Sequence, residues 1–280
     1  MLRLKPSPSA AQTLAGIEIK LHTMKSILII SLILFSSTVE AINPSRVYER
    51  TPKDYGLTYY QHQINTPDSY KINVWEYGPN NAAVKKTIIF VGTDAGNMSH
   101  LIWQAKHFSE KGFRVISFDY RGFGKSSDFE INRNYLYHPE FAVDLDSVIA
   151  FVKEKYPDDE IGLYALSMGT YISLLKEQDI DYIVAEGFYS DPIEVVKRIK
   201  KNKNKVVLLP EGASVISNSN REVPVLIFTA SQDQVTTPED AERFAKSNSN
   251  VEVVDFIGIH LVHDKKQGLI ILLLFLSYHT

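Results

Sequence analysis

Apolar and polar positions follow two alternating regimes from residue 55 onward. "YGLTYYQHQI" (55–64) and "SYKINVWEY" (69–77) alternate with period two around Pro67 and Asp68, which predicts an antiparallel strand pair. Short, nearly continuous apolar runs come next: "TIIFVG" (87–92), "FRVISFDY" (113–120), "IGLYAL" (161–166), "YIVAEGF" (182–188), "VPVLIFTA" (223–230) and "VEVVDFI" (251–257). Rich in Val, Ile, Phe and Tyr, they read as strands buried on both faces of a parallel sheet. Between them lie segments of helical period: 99–112, opened by a Ser99 cap and stopped by Gly112; 139–156, with Pro139 in its first turn; 168–178, 192–201 and 238–247. Strand–helix alternation over this length predicts one doubly wound α/β domain, residues 42–280, with right-handed crossovers. Residues 202–222 interrupt the alternation. With the helix before them they are expected to form a short lid, approximately 192–222.

The chain before residue 42 has a different pattern. From Met24 it reads "MKSILIISLILFSSTVEAINPS": one lysine, an apolar run from Ile27 to Phe35, and a polar stretch ending Val39-Glu40-Ala41. That order is the one expected of a secretory signal peptide cleaved after Ala41, with residues 1–23 as an upstream extension. The apolar run is shorter than the roughly 20 residues that span a bilayer. The expected mature protein therefore starts near residue 42 and is exported, periplasmic or secreted.

Composition narrows the chemistry. A net charge of −3 argues against holding nucleic acid through bulk positive charge, and the absence of cysteine removes thiol catalysis and disulfides. Neither a C-x-x-C nor an H-E-x-x-H pattern is present to suggest zinc.

In an open parallel sheet, ligands bind beyond the carboxyl ends of the strands. Ser167, in "YALSMGTY" (164–171), lies at such an end, between the strand 161–166 and a helix starting near Met168. Ala165 and Gly169 are the small residues a sharp strand-to-helix turn needs, as in the G-x-S-x-G nucleophile elbow. The competing reading is a serine that merely caps the helix. Partners in the order serine, acid, histidine follow in the chain. Asp233 falls in the loop after the next-to-last strand and His260 just beyond the last, so three loops at one sheet edge can bring together a hydroxyl, an imidazole and a carboxylate. Asp191 is an alternative carboxylate and His263 an alternative imidazole. His62, His100, His107 and His138 read as surface or packing residues, and Asp119 as a turn-forming or Arg-pairing structural carboxylate.

These residues, with "GTDAGNMSH" (92–100), "FDYRGFGKSS" (118–127) and "YLYHPEFAVDL" (135–145), resemble the α/β-hydrolase fold, in particular its small-lid serine hydrolases of the BEM46-like and serine-aminopeptidase-like kind. The resemblance covers roughly residues 55–262. It implies an eight-stranded sheet with one antiparallel strand, a Ser167–His260–Asp233 triad, and hydrolysis of an ester, thioester or amide without a cofactor. One departure stands out. Relatives carry His-Gly-Asn-Ala-Gly-Asn after the first parallel strand, where this chain has Gly92-Thr93-Asp94-Ala95-Gly96-Asn97. That loop supplies one oxyanion N–H, here from Asp94, and the residue after the nucleophile, Met168, supplies the other. A carboxylate beside a developing negative charge opposes the hole unless it turns away or meets a cation.

The expectation is thus a hydrolase of carboxylic esters or related acyl compounds. The alternative is a catalytically weak or inactive hydrolase-fold protein that binds a ligand. The basic run Lys197–Lys205 is expected to be a solvated helix face, with an anionic substrate or peripheral membrane contact as the other reading. "NMS" (97–99) matches a glycosylation sequon but reads better as a helix start. The apolar segment 269–276 reads as a buried final helix, with membrane contact as the minor alternative.

Overall fold

Two tyrosine-rich strands, β2 (Tyr59–Asn65) and β3 (Lys71–Tyr77), form the predicted antiparallel pair, in register from Tyr59 opposite Tyr77 to Asn65 opposite Lys71. The computed structural model describes residues 40–78, 85–175, 179–217 and 222–261, all within the compact unit that begins at Glu40. The expected signal peptide, apart from Glu40 and Ala41, lies outside the described residues, as do the upstream extension 1–23, His263 and the apolar segment 269–276.

The apolar runs become β4 (Lys86–Val91), β6 (Arg114–Phe118), β7 (Glu160–Leu166), β8 (Tyr182–Glu186), β9 (Val225–Ala230) and β10 (Val251–Phe256). Two short strands, β1 (Asn43–Pro44) and β5 (Ala95–Gly96), pair separately. The main sheet runs β10-β9-β8-β7-β4-β6-β3-β2 among the described residues. Its strands are parallel except β3, which is antiparallel to both neighbours, so the sheet has the expected eight strands and one reversed member. The inner strands β7, β8 and β9 are almost wholly buried. β10 is not, because at the edge it has only β9 as a neighbour in this sheet.

The helices are α1 (Ile102–Glu110), α2 (His138–Lys155), α3 (Met168–Leu174), α4 (Pro192–Lys203) and α5 (Pro238–Lys246). Three of them carry Pro in the first turn, where its missing N–H has no helical acceptor in any case. The first begins differently from expectation. Asn97, not Ser99, is the cap: its Oδ1 accepts from the Ser99 N–H at 3.0 Å and starts a 3-10 turn, Met98–Leu101, that leads into α1. Asn97 is buried and its Nδ2 donates to the carbonyls of Ser45 and Val47, so the sequon is a helix-start signal, as read.

Asp119 has the turn-forming role, its carboxylate accepting the Lys125 N–H at 3.3 Å, and among the described residues it pairs with no arginine. It accepts the Met98 N–H at 2.8 Å and the Tyr48 hydroxyl, deep beneath the Arg121–Ser127 turn. Arg121 instead reaches Asp144 and Asp68 and lies over the Tyr70 ring, so the ion pairing moves two residues along the chain. Beyond α4, residues 204–217 cross back over the loops at the carboxyl ends of the strands. The Leu208 N–H donates to Asn134 C=O at 2.6 Å, Tyr171 Oη to Ser214 C=O at 2.9 Å, and the Ile216 N–H to Ser190 C=O at 2.9 Å.

Candidate active site

Ser167 ends β7 and opens α3, with φ 49° and ψ −115°, a region that residues bearing a Cβ rarely occupy. It stands at the cap position of α3, yet its hydroxyl caps nothing. Ser167 Oγ lies 3.0 Å from His260 Nε2. The turn is held from both sides. The Ser167 N–H donates to Glu186 C=O at 2.9 Å, and the Thr170 N–H and hydroxyl donate to Ser167 C=O at 2.9 and 2.7 Å. Gly169 is required by proximity: a Cβ there would sit 2.3 Å from Val91 O and 2.7 Å from Gly92 O, so α3 rests directly on the end of β4. The methyl of Ala165, at the other small position, is fully buried in the core.

His260 follows β10 and is half-buried; its Nδ1 lies 2.7 Å from Asp233 Oδ2. Asp233 is buried in the turn after β9, where Oδ1 accepts the N–H groups of Val235 (2.8 Å) and Thr236 (3.0 Å). Burial alone would raise its carboxyl. The His260 hydrogen bond and charge, with the Thr236 hydroxyl and Val235 N–H, outweigh that and hold it below the ordinary carboxylate range. The structure therefore brings Ser167, His260 and Asp233 together from three separate loops. Asp191 is elsewhere, capping α4 through the Ile193 and Glu194 N–H groups. His62 pairs with Glu76, His107 Nδ1 meets Trp103 C=O, His138 is buried against Tyr171, and the exposed His100 packs over Gly96.

Thr236 was not among the residues singled out from sequence. Its hydroxyl donates to Asp233 Oδ2 at 2.6 Å and lies 3.1 Å from His260 Nδ1. The available signal was the spacing Asp233-x-x-Thr236, typical of an aspartate that folds the following backbone around its own carboxylate.

The loop Gly92–Gly96 borders the serine. Thr93 Oγ1 accepts the Ala95 N–H at 3.2 Å and donates to Ala95 C=O at 3.0 Å, while Asp94 C=O accepts the Asn43 N–H at 2.9 Å. Burial pushes the Asp94 carboxyl up from its ordinary value; its own N–H and the nearby His260, Lys205 and Lys203 pull it down. Met168, the other expected donor, is the first residue of α3, where a backbone N–H has no acceptor within the helix. Of the basic run, Lys197 pairs with Glu194 and Arg198 with Asp240 and the Thr237 hydroxyl. Lys200, Lys201 and Lys203 are exposed, and Lys205 is half-buried.

A cavity of about 300 Å³ adjoins the site. Leu166, Leu261, Gly92 and Thr93 line its near side, and apolar side chains such as Met98 and Tyr164 line the rest together with the polar Asn97, Gln104, Asp119 and Glu186. Among the described residues, no group of His, Asp or Glu side chains is arranged to hold a metal ion.

Comparison with known proteins agrees with this architecture. Residues 86–175, from β4 through the elbow, match the family model for the alpha/beta hydrolase fold. An acyl transferase of Photobacterium leiognathi is 32% identical over 114 residues, 40% of this chain and 36% of that one, so the match spans about a third of the curated relative's length. Among solved structures, an esterase of Pyrococcus furiosus superposes with a TM-score of 0.66 at 23% identity, covering 82% of this chain and 96% of the esterase. An alpha-beta serine hydrolase homologue from Coxiella burnetii gives 0.57 at 21% identity, covering 76% and 95%. Sheet order, elbow and these likenesses together identify the chain as an α/β-hydrolase-fold protein, similar to serine hydrolases and esterases built on that fold.

Proposed function

We propose that the protein is a serine hydrolase of carboxylic esters or related acyl compounds. The observation that carries this reading is the continuous hydrogen-bonded line from Ser167 Oγ through the two nitrogens of His260 to Asp233. His260 Nε2 takes the serine proton as Oγ attacks the carbonyl carbon, and Asp233 holds the imidazole with its other nitrogen protonated, stabilising the imidazolium. The oxyanion forms beside the N–H groups of Met168 and Asp94. Collapse expels the alcohol, which takes the proton from His260 and leaves an acyl group on Ser167. Water, deprotonated by His260, then releases the acid; a second alcohol in place of water would make the same intermediate an acyl donor, a route in keeping with the acyl transferase similarity. The cavity beside Leu166 and Leu261, apolar over most of its wall but also bordered by Asp119 and Glu186, offers space for the acyl part of such a substrate.

The test is labelling of the purified protein with a fluorophosphonate probe, alongside Ser167→Ala and His260→Ala. Labelling of wild type that both substitutions abolish supports the reading, and a folded wild type that does not label overturns it. Asp94 favours a second reading, a ligand-binding protein with little turnover. Under that reading Asp94→Asn, by removing the carboxylate beside the oxyanion, raises labelling well above wild type. We also read residues 24–41 as an export signal, which N-terminal sequencing of the natural protein tests.

A further inference from the structure

We propose that residues Ile42–Ser45 are a positioning element of the active site, a strap that fixes the oxyanion loop from outside. The inference rests on the reading of the Asp94 N–H as an oxyanion donor. β1 lies parallel to β5, with Asn43 opposite Ala95 and Pro44 opposite Gly96. The Asn43 N–H donates to Asp94 C=O at 2.9 Å and the Ser45 N–H to Gly96 C=O at 2.8 Å, so the strap grips the loop on both sides of Ala95. Asn97 closes the contact through its Nδ2, which donates to Ser45 C=O at 3.2 Å and Val47 C=O at 2.8 Å.

The strap is itself anchored. Ile42 is fully buried in the core, the N–H groups of Ala41 and Ile42 both donate to Arg133 C=O (2.8 and 3.1 Å), and the Gly124 N–H donates to Ser45 C=O at 2.9 Å. The loop needs such support. Gly96 has φ 79° and no side chain to limit rotation, and an N–H stabilises an oxyanion only when its peptide plane is fixed before charge develops. Bonds accepted by Asp94 and Gly96 hold the peptide planes that follow each of them, and the Thr93 hydroxyl holds Ala95 between, so the strap acts on the Asp94 N–H indirectly, by fixing the chain on its C-terminal side. Cleavage after Ala41 would keep residues 42–45 but remove the Ala41 N–H from this anchor and make the Ile42 nitrogen the terminal amine.

Asn43→Pro and Ser45→Pro in the full chain each delete one N–H donor while leaving Ile42 seated in the core. The expected result is that kcat for a p-nitrophenyl ester and the fluorophosphonate labelling rate fall by about tenfold to a hundredfold, part of the 10²–10³ attributed to a lost oxyanion donor, with KM within about twofold of wild type. Amide hydrogen exchange in the segment 92–97 is expected to accelerate in both variants. A merely structural strap would lower the melting temperature and leave kcat at temperatures well below melting unchanged. Unchanged kcat in both variants, or unchanged exchange in 92–97, overturns the proposal. If wild type itself neither labels nor hydrolyses, it is the hydrolase reading that fails, and the exchange measurement alone decides the strap.

Discussion

The Thr236 hydroxyl donates to Asp233 Oδ2 at 2.6 Å, on the same carboxylate oxygen that faces His260 Nδ1. Asp233 Oδ2 is thus held in place by a neighbour three residues away, and Thr236 acts on Ser167 only through the imidazole. Thr236→Val keeps the shape and removes the hydroxyl. Loss of one such hydrogen bond is worth about 1–1.5 kcal/mol, so kcat is expected to fall about tenfold with KM unchanged. Steady-state kinetics on a chromogenic ester check this, and an unaltered kcat would show that the two backbone N–H groups on Oδ1 suffice.

Asp233→Asn keeps the size but offers His260 the wrong partner, and the equivalent change in a serine-protease triad lowers kcat about 10⁴-fold. The same carboxyl bears on stability. Its native pKa lies below the unfolded one, so its contribution is fully present above the ordinary carboxylate range and is lost as pH falls through the depressed native value. Asn at 233 is expected to flatten that acid limb of the stability curve, measurable by denaturant midpoints from pH 5 downward.

Gly169→Ala drives a methyl into the carbonyls of Val91 and Gly92, neither of which is the end of a flexible side chain. Overpacking of this kind costs about 1–3 kcal/mol. Because the displaced backbone leads into the oxyanion loop, the labelling rate is expected to fall along with the melting temperature. A variant as stable and as reactive as wild type would mean that α3 can slide on β4.

His138 is buried and neutral, its native pKa lowered by burial to about 3 from an ordinary 6.5. Between those values the unfolded chain binds the extra proton, so stability is full above pH 6.5 and declines as pH falls, by about 1.4 kcal/mol per unit. His138→Phe, which can still pack against Tyr171, is expected to remove about 2 kcal/mol of the loss between pH 7 and pH 5. Urea midpoints of both proteins at the two pH values check it.

Features set by short stretches of chain were legible in the sequence. The inner strands fall within two residues of their apolar runs, and Ser167 stands out because a strand, a small-residue turn and a helix meet there. Asp233 and His260 were found by their order and by the rule that loops at one sheet edge converge. Contacts between distant segments left no such mark. The strap is an example: Asn43 and Asp94 are 51 residues apart, and Ile42 reads as the residue after a cleavage site, although it is a core residue. Of the two readings of Asp119, the turn-forming one holds and the Arg-pairing one does not, for a related reason. A carboxylate next to "YRGFG" suggests the nearby arginine, but Arg121 extends away toward Asp144 and Asp68, and Asp119 accepts N–H and hydroxyl donors from other parts of the chain.

The backbone at Ser167 carries a further consequence. A side-chain-bearing residue at φ 49°, ψ −115° stores strain on the order of 1–3 kcal/mol, which the surrounding hydrogen bonds of Glu186 and Thr170 must overcome. Glycine would occupy that conformation freely. The position on which the proposed chemistry depends is therefore one where the fold, left to itself, would favour an inert residue. Selection for thermal stability alone would erode reactivity at Ser167 first, so reactivity and robustness pull this chain in opposite directions at a single residue.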